Sequence, residues 1–274
     1  MKSFKLLINK FFVILIINLL VQYEKEIGGI SMNVALILAG GTDSRFQMSV
    51  PKQFVNVYNR PVIVYTLEAF QRHNDIDAIM VSCLDGWQEM VRAYAKQFNI
   101  SKLKWVVPGG KDGQASARNG IMALKSECRG DDIIVLHDSI RPFVSEDIIT
   151  DSLKVCKTHG MGVAAVRTMD TIMRTKDGQV GTESISRYAI VRIQTPQAYR
   201  MDKLWDVHEK AVERGITGEV DTNSVVSKLG EPVYFSKGSD LNMKINTVED
   251  VEMFKALYKM QKEPKKQKDK GIEK

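Results

Sequence analysis

Between residues 34 and 167, short apolar runs alternate with longer stretches of helical spacing, and that alternation limits the folds open to the chain. The runs at 34–38, 78–84, 103–107, 133–136 and 162–167 are strand-length and almost wholly apolar. Between them, the spacing predicts helices over 62–72, 87–98, 114–125 and 146–158, with Ser145 as the N-cap of the last. Strands this apolar, separated by helices, imply a mostly parallel sheet covered on both faces, an α/β Rossmann-like fold. Beyond it the pattern predicts helices over 201–214 and 223–229, strands at 232–235 and 241–245, and a last helix over 248–258.

The alternation breaks over 169–194. That stretch has few apolar positions and holds the turn sequence Thr175-Lys176-Asp177-Gly178, so it is expected to leave the sheet as a projecting β-arm. No linker or repeat divides the rest, and residues 32–258 are expected to form one domain.

The formal net charge is +6, which invites a nucleic-acid reading. Its placement argues otherwise. Residues 1–31 carry four Lys against two Glu, and residues 259–274 carry seven Lys against two Glu and one Asp. The body is therefore near neutral, whereas a nucleic-acid binder needs its cations on a folded face. The last segment is expected to be a solvated basic tail. Residues 11–21 are apolar apart from Asn18 and follow Lys2, Lys5 and Lys10. The run is shorter than the roughly 17–25 residues of a spanning helix. Codons for Gly28-Gly29 can spell a ribosome-binding sequence at start-site distance from Met32. Residues 1–31 are therefore expected to be translated leader or a mis-assigned extension, with a membrane role only if they belong to the native protein. Cys83, Cys128 and Cys156 form no CxxC pair, which fits reduced thiols in the cytoplasm and no zinc site.

The chemistry concentrates where strands end. The first strand runs into Ala39-Gly40-Gly41, followed by Arg45 and then Pro51-Lys52-Gln53. A turn without Cβ atoms lets backbone N–H groups approach a polyphosphate, and cations just beyond it can neutralise phosphate charge during a displacement. The loop has neither GxxxxGK[ST] nor GxGxxG, which counts against kinases and dehydrogenases. The strand at 133–136 ends in His137-Asp138-Ser139-Ile140-Arg141. Asp138 there is a natural Mg²⁺ ligand beside a phosphate loop, and Arg141 can hold a second anion bidentately. His137 is expected to be structural.

In order along the chain, LAGG…SR (38–45), PKQF (51–54), GG…S…NG (109–120), HDSIRP (137–142), Asp170-Thr171, Arg187, TPQ (195–197) and Asn242-Met243-Lys244-Ile245 form a specific set. With them the chain resembles the cytidylyltransferases that act on 2-C-methyl-D-erythritol 4-phosphate and on D-ribitol 5-phosphate. The likeness runs from Asn33 to about Tyr258. It implies transfer of CMP from CTP to an alditol phosphate with release of pyrophosphate, serving isoprenoid synthesis or teichoic-acid or capsule synthesis. It implies CTP over Ala39, Gly40 and Gly41, with Arg45 and Lys52 on the triphosphate. Gly109, Gly110 and Ser116 would hold the cytidine, and Asp138 would hold Mg²⁺. Arg141, Thr171, Arg187, Thr195 and Lys244 would surround the alditol phosphate, some across a homodimer in which the arms embrace. Three positions depart from the family pattern: Asp43 for Gly, Gly113 for Arg and Phe46 for Met. The first two are expected to weaken CTP binding. The competing readings are another sugar-phosphate nucleotidyltransferase and a non-catalytic nucleotide-binding paralogue.

Overall fold

A computed structural model describes residues 31–41 and 50–262. The chain divides after Met32 into two units, Met1–Met32 and Asn33–Lys274, and the second carries the fold described below. The expectations for residues 1–30, for the tail beyond Lys262, and for Asp43, Arg45 and Phe46 lie outside the described residues.

β1 (Asn33–Ala39) is buried along almost its whole length. It pairs in parallel with β4 (Ala78–Cys83) on one side and β6 (Ile133–Asp138) on the other, Leu36 lying opposite both Met80 and Leu136. Such a strand has no solvent face, which is why it reads as a continuous apolar run. β5 (Leu103–Pro108) extends the sheet beyond β4, again in parallel. On the other side stand β10 (Val191–Arg200), β7 (Met161–Arg167) and β11 (Phe235–Lys237), giving seven strands in the order β11-β7-β10-β6-β1-β4-β5. β10 runs antiparallel to both its neighbours. The sheet is thus mostly parallel with one reversed strand inside it.

Helices α1 (Val62–Arg72), α2 (Gln88–Gln97), α3 (Gly113–Leu124), α4 (Glu146–His159) and α5 (Met201–Glu213) flank the sheet, with short α6 (Thr222–Lys228) and the final α7 (Val248–Lys262). The main core joins Ala35, Ile37, Ile79 and Val135 of the sheet to Leu67 and Phe70 of α1 and Leu153 of α4. A second core gathers Val57, Tyr65, Ile140, Ile245 and Phe254 around α7.

The expected elements need four corrections. Residues 191–200 form the longest strand of the sheet, where none was expected, so the excursion from the sheet ends before Val191 rather than at 194. The strand expected at 232–235 forms at Phe235–Lys237, where β7 is available to pair with it. No strand forms over 241–245; its backbone N–H bonds go to a local turn, Asn242 to the Ser239 carbonyl at 3.0 Å, and across to the β6 end, Ile245 to the Ile140 carbonyl at 2.9 Å. Ser145 sits at the start of α4, but its hydroxyl makes no capping bond. Off the sheet, β2 (Asn56–Val57) and β3 (Arg60–Pro61) make a small pair, and β8 (Ile172–Thr175) and β9 (Gly181–Ile185) form a separate hairpin. At its turn the Asp177 carboxylate accepts the N–H groups of Gln179 and Val180, and Gly178 takes a positive φ of 76°.

Candidate active site

From β1 the chain builds outward through β4 to β5 and then returns to β6 on the other side of β1. The ends of β1 and β6 therefore flank the point where the winding reverses, which is where open α/β sheets leave a crevice. A cleft of about 350 Å³ opens there.

One wall is nearly all backbone. A Cβ on Gly40 would stand 2.6 Å from Ser116 Oγ, and one on Gly109 would stand 3.1 Å from both Gly40 Cα and the Cys83 carbonyl. Glycine alone lets these segments meet. The Gly110 N–H donates to Ser116 Oγ at 3.0 Å. From a 3₁₀ turn at Lys52–Phe54, Gln53 Nε2 donates to the carbonyls of Ala39 (2.8 Å) and Gly41 (3.3 Å), pinning both ends of the glycine turn. Gly40, Gly41 and Ser116 line the cleft. Ala39, Gly109 and Gly110 do not; they build the wall behind it, and the Ala39 carbonyl is taken up by Gln53 Nε2 and the Leu84 N–H.

The opposite wall carries the charge. Asp138 ends β6, and its Oδ2 accepts from Arg141 Nε at 2.9 Å and lies 3.2 Å from Lys244 Nζ. Burial would raise the Asp138 carboxyl, but Lys244 and Arg141 beside it carry it well below the usual carboxylate range. Each cation is set by an apolar neighbour. Arg141 follows Ile140 and Lys244 precedes Ile245, and both isoleucines are buried in the core around α7. Arg141 Nη1 also donates to the Asn242 carbonyl at 2.8 Å. Lys52, nine-tenths buried, lines the same cleft and donates to Asn246 Oδ1 at 3.3 Å. Thr195 lies at an irregularity in β10 where the register against β7 shifts. Its Oγ1 accepts the Asp138 N–H at 3.0 Å, fixing the backbone that carries the carboxylate.

The structure thus brings Gly40, Gly41, Lys52, Ser116, Asp138, Arg141, Thr195 and Lys244 to one cleft. It does not bring Thr171 or Arg187 there. Both are exposed near the β8–β9 hairpin, and Arg187 Nη1 donates to the Met169 carbonyl at 3.0 Å. Within one chain, the expectation that they surround the acceptor is not met, because the hairpin stands outside the sheet. His137 is fully buried with Nε2 3.2 Å from the Arg141 carbonyl, and burial lowers its pKa to about 4. It holds the Asp138–Arg141 turn from behind as a neutral imidazole.

The donors suit a polyphosphate: cations on one side, a close-packed glycine wall on the other. A family model described as IspD: 2-C-methyl-D-erythritol 4-phosphate cytidylyltransferase matches residues 33–260. The chain belongs to the IspD family. Among curated IspD-type relatives it is 40% identical to the ribitol-5-phosphate cytidylyltransferase of Lacticaseibacillus paracasei, over 83% of this chain and 98% of that protein. It is 35% identical to the ribitol-5-phosphate cytidylyltransferase of Vibrio parahaemolyticus, over 84% and 97%. It is 33% identical to the 2-C-methyl-D-erythritol 4-phosphate cytidylyltransferase of Clostridium botulinum, over 81% and 95%. The fold matches that of 4-diphosphocytidyl-2C-methyl-D-erythritol synthase from Anaerococcus prevotii with a TM-score of 0.71 at 22% identity, covering 84% of this chain and 99% of that one.

In this IspD-family chain, Gln53 and Asp221 line the cleft and Asn242 and Asn246 brace its cations from outside it, and none of the four has a role legible in the sequence. Gln53 and Asn242 stand inside quoted motifs but had no role there. Asn246 and Asp221 had no local signal at all. Asp221 caps α6 by accepting from Ser224 N–H at 3.0 Å, accepts from Gln197 Nε2 at 3.3 Å, and lines the cleft. Gly113 was read as a departure that weakens binding. A Cβ there would stand 2.8 Å from the Val220 carbonyl, so the room beside it is filled by another part of the chain.

Proposed function

We propose that this cleft binds CTP and transfers its CMP to D-ribitol 5-phosphate, releasing pyrophosphate. The convergence of Lys52, Arg141 and Lys244 on one cleft around the ionised Asp138 carries the reading. The higher identities to the two ribitol-5-phosphate relatives favour that acceptor. A second reading, 2-C-methyl-D-erythritol 4-phosphate as acceptor, draws on the Clostridium botulinum relative.

A phosphate oxygen of the acceptor attacks the α-phosphorus of CTP in line, and the bond to the β-phosphate oxygen breaks. The attacking oxygen is already ionised, so no general base is needed. The difficulty is bringing two anions together, and cations meet it by binding and aligning both. Lys52, with Arg45, holds the triphosphate. Arg141 and Lys244 hold the incoming phosphate, spaced by the carboxylate between them. The cytidine lies against Gly40 and Ser116.

Magnesium fits the donors. Among the described residues no group of three or more His, Cys, Asp or Glu could hold a metal. Mg²⁺, however, takes one or two carboxylates and completes its shell with phosphates and water. Asp138 stays ionised, and a carboxylate has about four lone-pair sites, more than its two cations occupy. Asp138, with Asp221 on the same cleft, would hold the ion, which would offset charge developing on the phosphates.

The β8–β9 hairpin and its flanks expose Met169, Met173, Val180 and Tyr188, an apolar set that supports a homodimer. In it Thr171 and Arg187 would serve the partner's cleft. No described helix is long and apolar enough to cross a membrane. Cys83 and Cys156 are buried free thiols, which supports a cytoplasmic setting.

The test is pyrophosphate release with CTP, Mg²⁺ and each acceptor in turn. We expect a kcat/KM for D-ribitol 5-phosphate at least tenfold above that for 2-C-methyl-D-erythritol 4-phosphate, about 1.4 kcal/mol of discrimination. The reverse order would favour the second reading, and no release with either would overturn both.

A further inference from the structure

The third wall of the cleft is a strap, residues 215–221, running from the end of α5 to the start of α6. Its first two residues are tied to the end of α5, Gly215 N–H to the Val212 carbonyl at 3.1 Å and Ile216 N–H to the Ala211 carbonyl at 2.8 Å. Gly215 (φ 63°) and Gly218 (φ 75°) take left-handed conformations, and a Cβ on either would meet nothing within 4 Å. Val220 is 81% exposed yet lines the cleft beside Asp221. Across Gly218, between those bonds and the Asp221 cap, the strap is clamped by one side chain in the first turn of α3. Gln114 is nine-tenths buried; its Nε2 donates to the Ile216 carbonyl at 2.8 Å, and its Oε1 accepts the Glu219 N–H at 3.0 Å. Both ends of the amide grip the same segment, on either side of Gly218. Gly113, one residue earlier, leaves the gap into which the Val220 carbonyl fits. Glu219 is tied further by an ion pair with Lys228.

We infer that Gln114 is a positioning residue for nucleotide binding, acting through this strap. Gly113 and Ser116 lie on the first two turns of α3, and both line the cleft with Val220 and Asp221. A ligand seated on Gly40 and Ser116 therefore has the strap at its side, and the position of the strap depends on Gln114. This rests on the reading that the nucleotide occupies that wall. A glycine-hinged segment that must be ordered at each binding event lowers affinity, and one already clamped does not. The clamp thus raises CTP affinity without touching the reacting atoms.

Three variants test this. Gln114→Ala removes both bonds, Gln114→Glu keeps the acceptor for Glu219 N–H but loses the donor to Ile216, and Gly113→Ala presses the strap away from the helix side. The expected result for Gln114→Ala is a CTP Kd, by calorimetry with Mg²⁺, and a CTP KM each raised about tenfold, the scale of one to two net hydrogen bonds. Saturated kcat and acceptor KM stay within about twofold, as a change confined to nucleotide affinity requires. Amide exchange over 216–220 becomes faster. Gln114→Glu falls between wild type and Gln114→Ala, and Gly113→Ala shifts CTP affinity in the same direction. Faster exchange with unchanged CTP affinity would overturn the inference, as would a loss confined to kcat or to acceptor KM. A wild type that turns over CTP while its variants match it sinks this inference alone. A wild type that binds no CTP sinks the proposed function with it.

Discussion

The contact between Gly40 and Ser116 makes the first wall sensitive to a single methyl group. Gly40→Ala would drive a Cβ to 2.6 Å from Ser116 Oγ. Its expected effect is a destabilisation of about 1–3 kcal/mol, the range for overpacking a filled interior. Adding Ser116→Ala removes the colliding oxygen, so the double variant should recover most of that stability in urea unfolding while still binding CTP poorly. Lys52 belongs to the opposite wall. Lys52→Ala should lose roughly 10²-fold in kcat, the scale of removing one electrostatic stabiliser, with an unchanged circular dichroism spectrum. At this scale the sequence was legible where chemistry is local. A glycine pair ending an apolar strand and an Asp-x-x-Arg turn after another announce themselves within a few residues. Asp221 and Val220 in the cleft, and Asn246 behind Lys52, did not, because their places come from tertiary packing and no neighbour in sequence marks them.

At the scale of elements, the parallel strands and their helices could be read from period and length, since strands buried on both faces have to be apolar throughout. β10 could not. It carries Arg192, Gln194, Thr195, Pro196 and Gln197, a mixture that reads as loop, and is a strand because β6 and β7 leave a gap that only a reversed strand fills. α7 was legible, but its purpose was not. Its Phe254 packs edge-on against Tyr65 (centroids 5.0 Å apart) and Phe143 (4.9 Å), in the same core as Ile140 and Ile245. Phe254→Ala should therefore destabilise by about 3–5 kcal/mol. It should also lower kcat at temperatures well below the unfolding midpoint, because Arg141 and Lys244 lose their footing. The hairpin gives a separate prediction. Met173→Asp with Tyr188→Asp should turn a dimer into monomers in analytical ultracentrifugation and reduce turnover; an unaltered sedimentation coefficient would count against the homodimer.

For the whole molecule, acid is the relevant stress. Burial lowers His137 and His208 from 6.5 to about 4. Between those values the unfolded chain takes up protons that the folded chain refuses. Stability is then full above about pH 6.5 and falls as pH drops toward 4. Asp138, also lowered, adds its own loss only below the ordinary value of 3.8. A Tm series from pH 8 to 4.5 should be flat at first and then decline by several degrees, and His208→Gln should soften the decline. A flat profile down to pH 4.5 would mean the two imidazoles are not buried in the neutral form.

The Lys52–Asn246 bond joins residues 194 positions apart, and Arg141 reaches the Asn242 carbonyl across 101. A chain emerging from the ribosome therefore has no working pocket until its final quarter has been made. A copy cut before Lys244 lacks one cation of the cleft and the Asn246 partner of Lys52, and nucleotide bound by the finished molecules should protect them selectively against unfolding and proteolysis.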